Sequence, residues 1–129
     1  MTALQCNPEQ IAACAAIIKN GGVACVPTQS LYGLAVDPFS TDAVNRVFEL
    51  KGRDGKKPLL VLIPDLSWVE RLAEPTALAR RFMARFWPGP LTLIMKAKQD
   101  IPALAGSGKI GLRLDTHPGV NALLKMLDM

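Results

Sequence analysis

The stretch from Gly21 to Leu60 decides the fold, and it reads GGVACVPTQSLYGLAVDPFSTDAVNRVFELKGRDGKKPLL. It predicts a short buried strand, a polar turn of small hydroxyl residues, and an amphipathic helix that ends among cations. Hydroxyl groups and backbone amides suit a small polar ligand, and cations beside them suit an anion. The stretch therefore indicates an α/β domain with a site for an amino acid or a nucleotide.

The hydroxyl residues of this stretch follow a predicted strand. The continuously apolar run Val23–Val26 predicts a strand covered on both faces, and Pro27 ends it because proline has no N–H for the ladder. Thr28 and Ser30 then lie just past the carboxyl end of the strand, where open α/β sheets bind ligands. Taken alone, these hydroxyls are explained more simply by local bonds to the backbone. Tyr32 begins a second extended segment.

A helix capped by Ser40 or Thr41 comes next, with Val44, Val47 and Phe48 on its core side. Cations follow it within one short loop, relieved only by Asp54, and they are Lys51, Arg53, Lys56 and Lys57. The helix dipole explains the first one or two, but not a run that continues through two glycines. Because the sequence has no P-loop pattern, the loop predicts an anion site of another kind.

The flanking sequence predicts further elements. A first helix begins at Asn7–Pro8 and ends at Asn20–Gly22 in a left-handed cap. Its apolar face is Ile11, Cys14, Ala15 and Ile18. Strands are expected at Leu59–Ile63, Leu91–Met95 and Ile110–Leu114. Helices are expected at Leu66–Leu72, from Glu74–Pro75, and from Pro118 with Val120, Leu123, Leu124 and Leu127 as its face.

Arginines in two places require an interpretation. The helix from Glu74–Pro75 is predicted to bury Leu78, Phe82 and Phe86, with Ala79 and Met83 beside them. Its other face carries Arg80, Arg81 and Arg85, and a solvated face explains them more simply than contact with RNA.

Arg113 points away from the apolar side of its strand. If both faces of that strand are covered, Arg113 needs an anionic partner, either a carboxylate of the protein or one of a substrate.

The composition bounds the class of protein. The 129 residues predict a single domain, and the net charge of +4 is too small to prove an anionic partner. The cysteines Cys6, Cys14 and Cys25 fit no metal motif and are read as free thiols of a cytoplasmic protein. No apolar run is long enough to cross a membrane, and His117 is read as a turn residue.

Five motifs occur in one order, and together they resemble the threonylcarbamoyl-AMP synthases over roughly residues 8 to 127. The motifs are Pro27–Leu34, Phe48–Arg53, Lys57–Leu59, Phe86–Thr92 and Gly111–Pro118. The resemblance implies an α/β fold with a twisted mixed sheet, helices packed around it, and an open, basic ligand cavity. It implies formation of threonylcarbamoyl-AMP and pyrophosphate from threonine, bicarbonate and ATP, with Mg²⁺ on the phosphates. The threonylcarbamoyl group then reaches tRNA, directly or through a transferase complex.

The resemblance also implies roles for individual residues. Lys51 and Arg53 match the residues that hold the ATP phosphates and act in catalysis, and Lys57 matches a further ATP contact. Ser30 matches the residue that contacts threonine, with Thr28 and Tyr32 alongside. Arg113 matches an arginine placed for the threonine carboxylate, which would answer the pairing question above.

The chain departs from the family pattern in four respects. Gln29 replaces a common acidic residue, Ser30 replaces a threonine, and Leu62 stands where many members have a histidine near threonine. The family continues past this point with a strand bearing Ser-x-Asn, so residues 1–129 are expected to be a shortened domain or a fragment. An open sheet edge then predicts a homodimer or marginal stability. The alternatives are an RNA- or nucleotide-binding relative without synthase activity, or a carbamoyl-transfer domain of a maturation factor.

Overall fold

The computed structural model describes residues 7–28, 32–52 and 57–127. Its helices are α1 Pro8–Lys19, α2 Thr41–Lys51, α3 Ser67–Leu72, α4 Ala77–Phe86 and α5 Pro118–Leu127. Its strands are β1 Ala24–Pro27, β2 Tyr32–Ala35, β3 Val61–Leu62, β4 Ala73–Glu74, β5 Leu93–Ala97 and β6 Lys109–Arg113. A short 3-10 helix, Pro102–Leu104, precedes β6.

The strands within the described ranges form two sheets. One has the order β3-β6-β5-β4, in which β3 and β6 are parallel and the other two pairs are antiparallel. The other is the antiparallel hairpin of β1 and β2, with Ala24 opposite Ala35. The predicted fold class, an α/β protein with a mixed sheet, is confirmed.

The four-stranded sheet has one covered face and one open face. Side chains alternate along a strand, so the register assigns each residue to a face. Val61, Leu112 and Met95 belong to the covered face and are buried against α2, α3 and α4. The opposite side, here called the inner face, carries Leu62, Arg113, Gly111, Ile94 and Lys109. Ile94 is 72% exposed there, so no described element covers the middle of the inner face.

The first helix forms as the sequence predicts. The Asn7 side chain accepts a hydrogen bond of 2.8 Å from the backbone N–H of Glu9, which satisfies one free donor of the first turn. Ile11, Cys14, Ala15 and Ile18 are buried against α5 and β1. The chain leaves the helix through Gly21 at φ +81°, a conformation that glycine adopts without strain.

The second helix also matches its prediction. The Ser40 hydroxyl accepts from Ala43 N–H at 3.3 Å, so Ser40 rather than Thr41 is the cap. Val44, Val47 and Phe48 are buried, while Lys51 lies exposed in the last turn.

The Trp87–Pro90 turn fixes the end of α4 to the sheet. The buried indole of Trp87 donates to the carbonyl of Leu91 at 2.7 Å, and the Trp87–Pro88 peptide is cis. Gly89 donates to Leu114 at 3.0 Å, and a Cβ at Gly89 would lie 2.2 Å from the Phe86 carbonyl oxygen. Only glycine fits that position, and the turn packs the Trp87 indole into the core.

Four predicted strands differ in extent from those observed, and the strand expected at Ile110–Leu114 is shifted by one residue to Lys109–Arg113. The strand expected at Leu59–Ile63 is only Val61–Leu62, because Leu59 N–H donates to Ala103 in the 3-10 helix instead. The strand expected at Leu91–Met95 begins at Leu93, since the Leu91 carbonyl belongs to the tryptophan turn. The first strand is Ala24–Pro27, with Pro27 inside it at the end of the ladder, where a missing N–H costs least. Within the described residues this strand pairs only with β2. Ala24, Val26 and Pro27 are buried and Cys25 is half-buried, which agrees with the expected coverage of both faces.

The buried side of α4 differs from the sequence prediction. Met83 is buried, whereas Leu78, Phe82 and Phe86 are 59%, 40% and 44% exposed. Met83 and Trp87 lie one turn apart and face the sheet, which turns the Leu78–Phe82–Phe86 stripe outward. The helix begins at Ala77 with Thr76 as its cap, because Glu74 is part of β4.

We expect two leucine substitutions to test this assignment. Leu112→Ala should lower the free energy of unfolding by about 2–5 kcal/mol, because Leu112 is fully buried in the core. Leu78→Ala should lower it by less than about 1 kcal/mol, because the side chain is largely exposed. Urea denaturation of both variants measures the difference. Equal losses would show that α4 packs as the sequence pattern suggested.

Candidate ligand-binding site

A cavity of about 770 Å³ is lined by both sheets. Residues of the β1–β2 hairpin form one wall, and the inner face of the four-stranded sheet forms another. Apolar residues of α5 close part of it, among them Val120, Leu123 and Leu127. The volume lies in the range of small-molecule sites, which are mostly apolar with a few polar groups.

The structure brings four of the predicted site residues to this one cavity. Thr28 and Tyr32 line it from the hairpin, Lys51 from the end of α2, and Arg113 from the end of β6. Lys57 is exposed and is not among the lining residues. Ser30 and Arg53 lie outside the described residues, so the predictions for them stay untested. Residues 28 and 113 are therefore neighbours of one space although they are far apart in sequence.

The charged residues in the described lining are all cations. They are Lys51, Lys109 and Arg113, and the described lining contains no carboxylate. Lys109 was not singled out from the sequence. The signal for it was available, since residues at alternate positions of a strand share a face and Lys109 lies four positions before Arg113. A cavity with this lining attracts anionic or zwitterionic ligands.

Gly111 leaves the middle of the inner face open. A Cβ at this position would meet Thr92 Cγ2 at 3.4 Å and Ile94 Cγ1 at 3.9 Å, which are ordinary contacts. Crowding therefore does not explain why this position has no side chain. It leaves space between the two cations of β6, Lys109 and Arg113.

Arg113 has a protein carboxylate as a neighbour. Its Nε atom lies 3.6 Å from Oδ1 of Asp115, and the Asp115 side chain is fully buried. The resemblance implied that the anionic partner of Arg113 is the threonine carboxylate. This expectation is corrected in part, because Asp115 already supplies an anion. Sequence reasoning missed this residue, since its face could not be assigned once the strand had ended at Arg113.

Asp115 also organises the turn into α5. Its Oδ2 accepts from His117 N–H at 3.1 Å, and its carbonyl accepts from the Asn121 amide at 3.0 Å. The Nδ1 atom of His117 accepts from Gly119 N–H at 3.1 Å. These bonds satisfy the first turn of the helix, which supports the reading of His117 as a turn residue.

Two arginines outside the cavity have structural partners. Arg80 forms an ion pair of 2.6 Å with Glu70, and the guanidinium lowers the pKa of that carboxyl. The Arg71 guanidinium lies 4.5 Å from the centre of the Trp68 ring. Neither residue lines the cavity. The solvated-face interpretation of Arg80 therefore holds, and Arg80 is a suitable control for the cavity cations.

The cysteines and the remaining candidate groups suggest no further chemistry. Cys14 and Cys25 are free thiols, as expected, and burial raises the pKa of Cys14. No group of three potential metal ligands occurs within residues 7–28, 32–52 and 57–127. The helices described in these ranges include none that is long and apolar enough to span a membrane.

The described residues thus form a mixed α/β domain whose cavity has cations as its charged lining residues. The family model described as telomere recombination, Sua5/YciO/YrdC, matches residues 16–129. The chain therefore belongs to the Sua5/YciO/YrdC family.

The chain is also similar to individual proteins of this family and to solved structures. The threonylcarbamoyl-AMP synthase of Bacillus subtilis (strain 168) is 40% identical over 126 residues, which cover 95% of this chain and 36% of the relative. The Sua5 protein of P. abyssi, solved in complex with L-threonine, matches 98% of this chain and 38% of its own, with a TM-score of 0.90 and 29% identity. HypF, solved in a phosphate- and nucleotide-bound form, shares the fold with a TM-score of 0.80 at 21% identity. The chain thus spans little more than a third of the first two proteins.

Proposed function

We propose that this domain binds threonine and ATP and forms threonylcarbamoyl-AMP. The observation that carries the proposal is the meeting of Thr28, Tyr32, Lys51 and Arg113 at one cavity whose described charged residues are cations. Threonine offers a carboxylate for Arg113 and a hydroxyl and ammonium for the hairpin wall. The triphosphate of ATP offers anionic oxygens for Lys51 at the end of α2. A relative solved with L-threonine supports the first of these two ligands.

The chemistry that we propose is an adenylation. The threonine nitrogen bonds to the carbon of bicarbonate and water is lost, which gives a carbamate. A carbamate oxygen then bonds to the α-phosphorus of ATP, and pyrophosphate leaves. Because the carbamate is a weak nucleophile, positioning and charge neutralisation supply most of the acceleration. Lys51, Lys109 and Arg113 are the described lining residues with suitable charges, and roles for Arg53 and Ser30 are proposed from the family motif.

Magnesium enters this proposal only through ATP. The described cavity lining offers no carboxylate, and carboxylates are the protein ligands that Mg²⁺ prefers. We therefore derive no contact between the described residues and the metal. When bound, Mg²⁺ would neutralise charge on the phosphates.

The product would serve as a donor of the threonylcarbamoyl group. A mixed anhydride of a carbamate and AMP is a reactive intermediate, so a second reaction must consume it. We propose transfer to tRNA, directly or through a transferase complex, as the resemblance implies. No specific observation favours the RNA-binding alternative. The similarity to HypF does not favour the carbamoyl-transfer alternative, because at 21% identity it shows the fold alone.

We expect pyrophosphate release from ATP that depends on both threonine and bicarbonate. Lys51→Ala and Arg53→Ala should each weaken ATP binding by about 1.5–3 kcal/mol, the range for a hydrogen bond to a charged group. Arg80→Ala is the matched control, because Arg80 pairs with Glu70 outside the cavity. Pyrophosphate assays and calorimetric titration with an ATP analogue measure these effects. A chain without threonine-dependent release, or with equal effects at Lys51, Arg53 and Arg80, would overturn the proposal.

A further inference from the structure

Asp115 is the one charged residue that is fully buried within the described part of the chain. It follows β6, two residues after Arg113, which lines the cavity. The inference below rests on the proposed function, because it concerns how Arg113 receives a carboxylate.

The local backbone does not require the negative charge of Asp115. Its Oδ2 accepts the His117 N–H at 3.1 Å, and an asparagine oxygen could accept the same bond. Burying a carboxylate is costly unless a cation stands nearby. Arg113 is a cation within ion-pair distance of Asp115, so this contact gives the charge a role that the turn does not require.

The contact between the two side chains acts through charge. A separation of 3.6 Å between Arg113 Nε and Asp115 Oδ1 is too long for a hydrogen bond, and Nε has no hydrogen-bond partner. Asp115 therefore does not hold the guanidinium in one orientation by a directional bond. Its effect on Arg113 is partial compensation of the positive charge.

We propose that Asp115 is a built-in counter-ion of Arg113 that limits the affinity of the cavity for carboxylate ligands. When the cavity is empty, Asp115 keeps Arg113 from being an uncompensated cation in a largely apolar wall. When a ligand carboxylate arrives, it shares the guanidinium with Asp115, and the two anions repel each other. Asp115 is thus an affinity-setting residue that acts through Arg113, and it allows a carboxylate-bearing product to leave.

The test compares threonine with threoninamide, which lacks the carboxylate. Asp115→Asn removes the charge and keeps an acceptor for His117. We expect this variant to bind threonine about tenfold more tightly by calorimetry, the size of a Coulomb repulsion at a partly screened site. Its affinity for threoninamide should stay unchanged. Glu74→Gln is the control, since Glu74 is an exposed carboxylate paired with Lys96 on the same sheet, and it should change neither affinity.

Two outcomes would overturn the inference. The first is an unchanged or weakened affinity of Asp115→Asn for threonine, and the second is an equal change for threonine and threoninamide, which marks a merely structural role. Asp115→Ser, which also keeps an acceptor without charge, gives the same comparison if the asparagine variant does not fold.

Acetate separates this inference from the proposed function. Its binding can be followed by the nuclear magnetic resonance signal of the Arg113 Nε–H group. If Asp115→Asn binds acetate more tightly than the wild-type protein does, while neither protein binds threonine, the proposed threonine site is wrong and the proposed role of Asp115 stands. If the wild-type protein prefers threonine to threoninamide and the variant shows the same preference and affinity, the role of Asp115 is wrong and the site stands.

Discussion

Arg113→Gln is expected to lose both threonine binding and stability. The substitution removes the proposed partner of the ligand carboxylate, so affinity for threonine should fall about tenfold to a hundredfold. It also leaves the fully buried Asp115 without its neighbouring cation. Removing one member of a buried ion pair costs about 3 kcal/mol or more, because the remaining charge is uncompensated. Calorimetry and urea denaturation measure the two losses.

The double variant Arg113→Gln/Asp115→Asn separates the two effects. It should recover most of the lost stability, because no buried charge remains. It should recover none of the threonine affinity, because the guanidinium is still absent. If the single variant is as stable as the wild type, Asp115 does not depend on Arg113 in the way described here.

Gly111→Val is expected to block the cavity without unfolding the domain. Valine suits a strand, and a Cβ at position 111 makes only ordinary contacts with Thr92 and Ile94. The added methyl groups would project from the inner face between Lys109 and Arg113. The affinity for at least one of the two ligands, threonine and ATP, should fall by at least about tenfold. The midpoint of urea unfolding should change little.

Gly111→Ala is the graded control, because a single methyl group takes up less of the space. It should keep most of the affinity. If Gly111→Val binds both ligands as well as the wild type does, the ligands do not lie on the inner face of the sheet.

Local signals in the sequence predicted the helices that position the site. The caps at Asn7 and Ser40, and the apolar faces of α1 and α2, follow from residue chemistry that acts within a few positions. The shared location of Thr28, Tyr32, Lys51 and Arg113 came from the ordered motifs and the family that they resemble, since spacing alone leaves such distances open.

Long-range packing explains what the sequence did not predict. The apolar stripe of Leu78, Phe82 and Phe86 has helical spacing, but Met83 and Trp87 fix the rotation of α4 toward the sheet. The length of β3 depends on a bond between Leu59 and Ala103, which are distant in sequence. The pairing of Arg113 with Asp115 needs the turn into α5, which no periodicity encodes.

A titration of the wild-type chain with threonine, followed by backbone amide signals in nuclear magnetic resonance spectra, tests directly whether threonine binds in the cavity. We expect saturable changes concentrated at Thr28, Tyr32, Gly111 and Arg113, and much weaker changes with threoninamide. An absence of saturable changes, or changes concentrated away from the cavity around Thr41 and Asp100, would contradict this expectation.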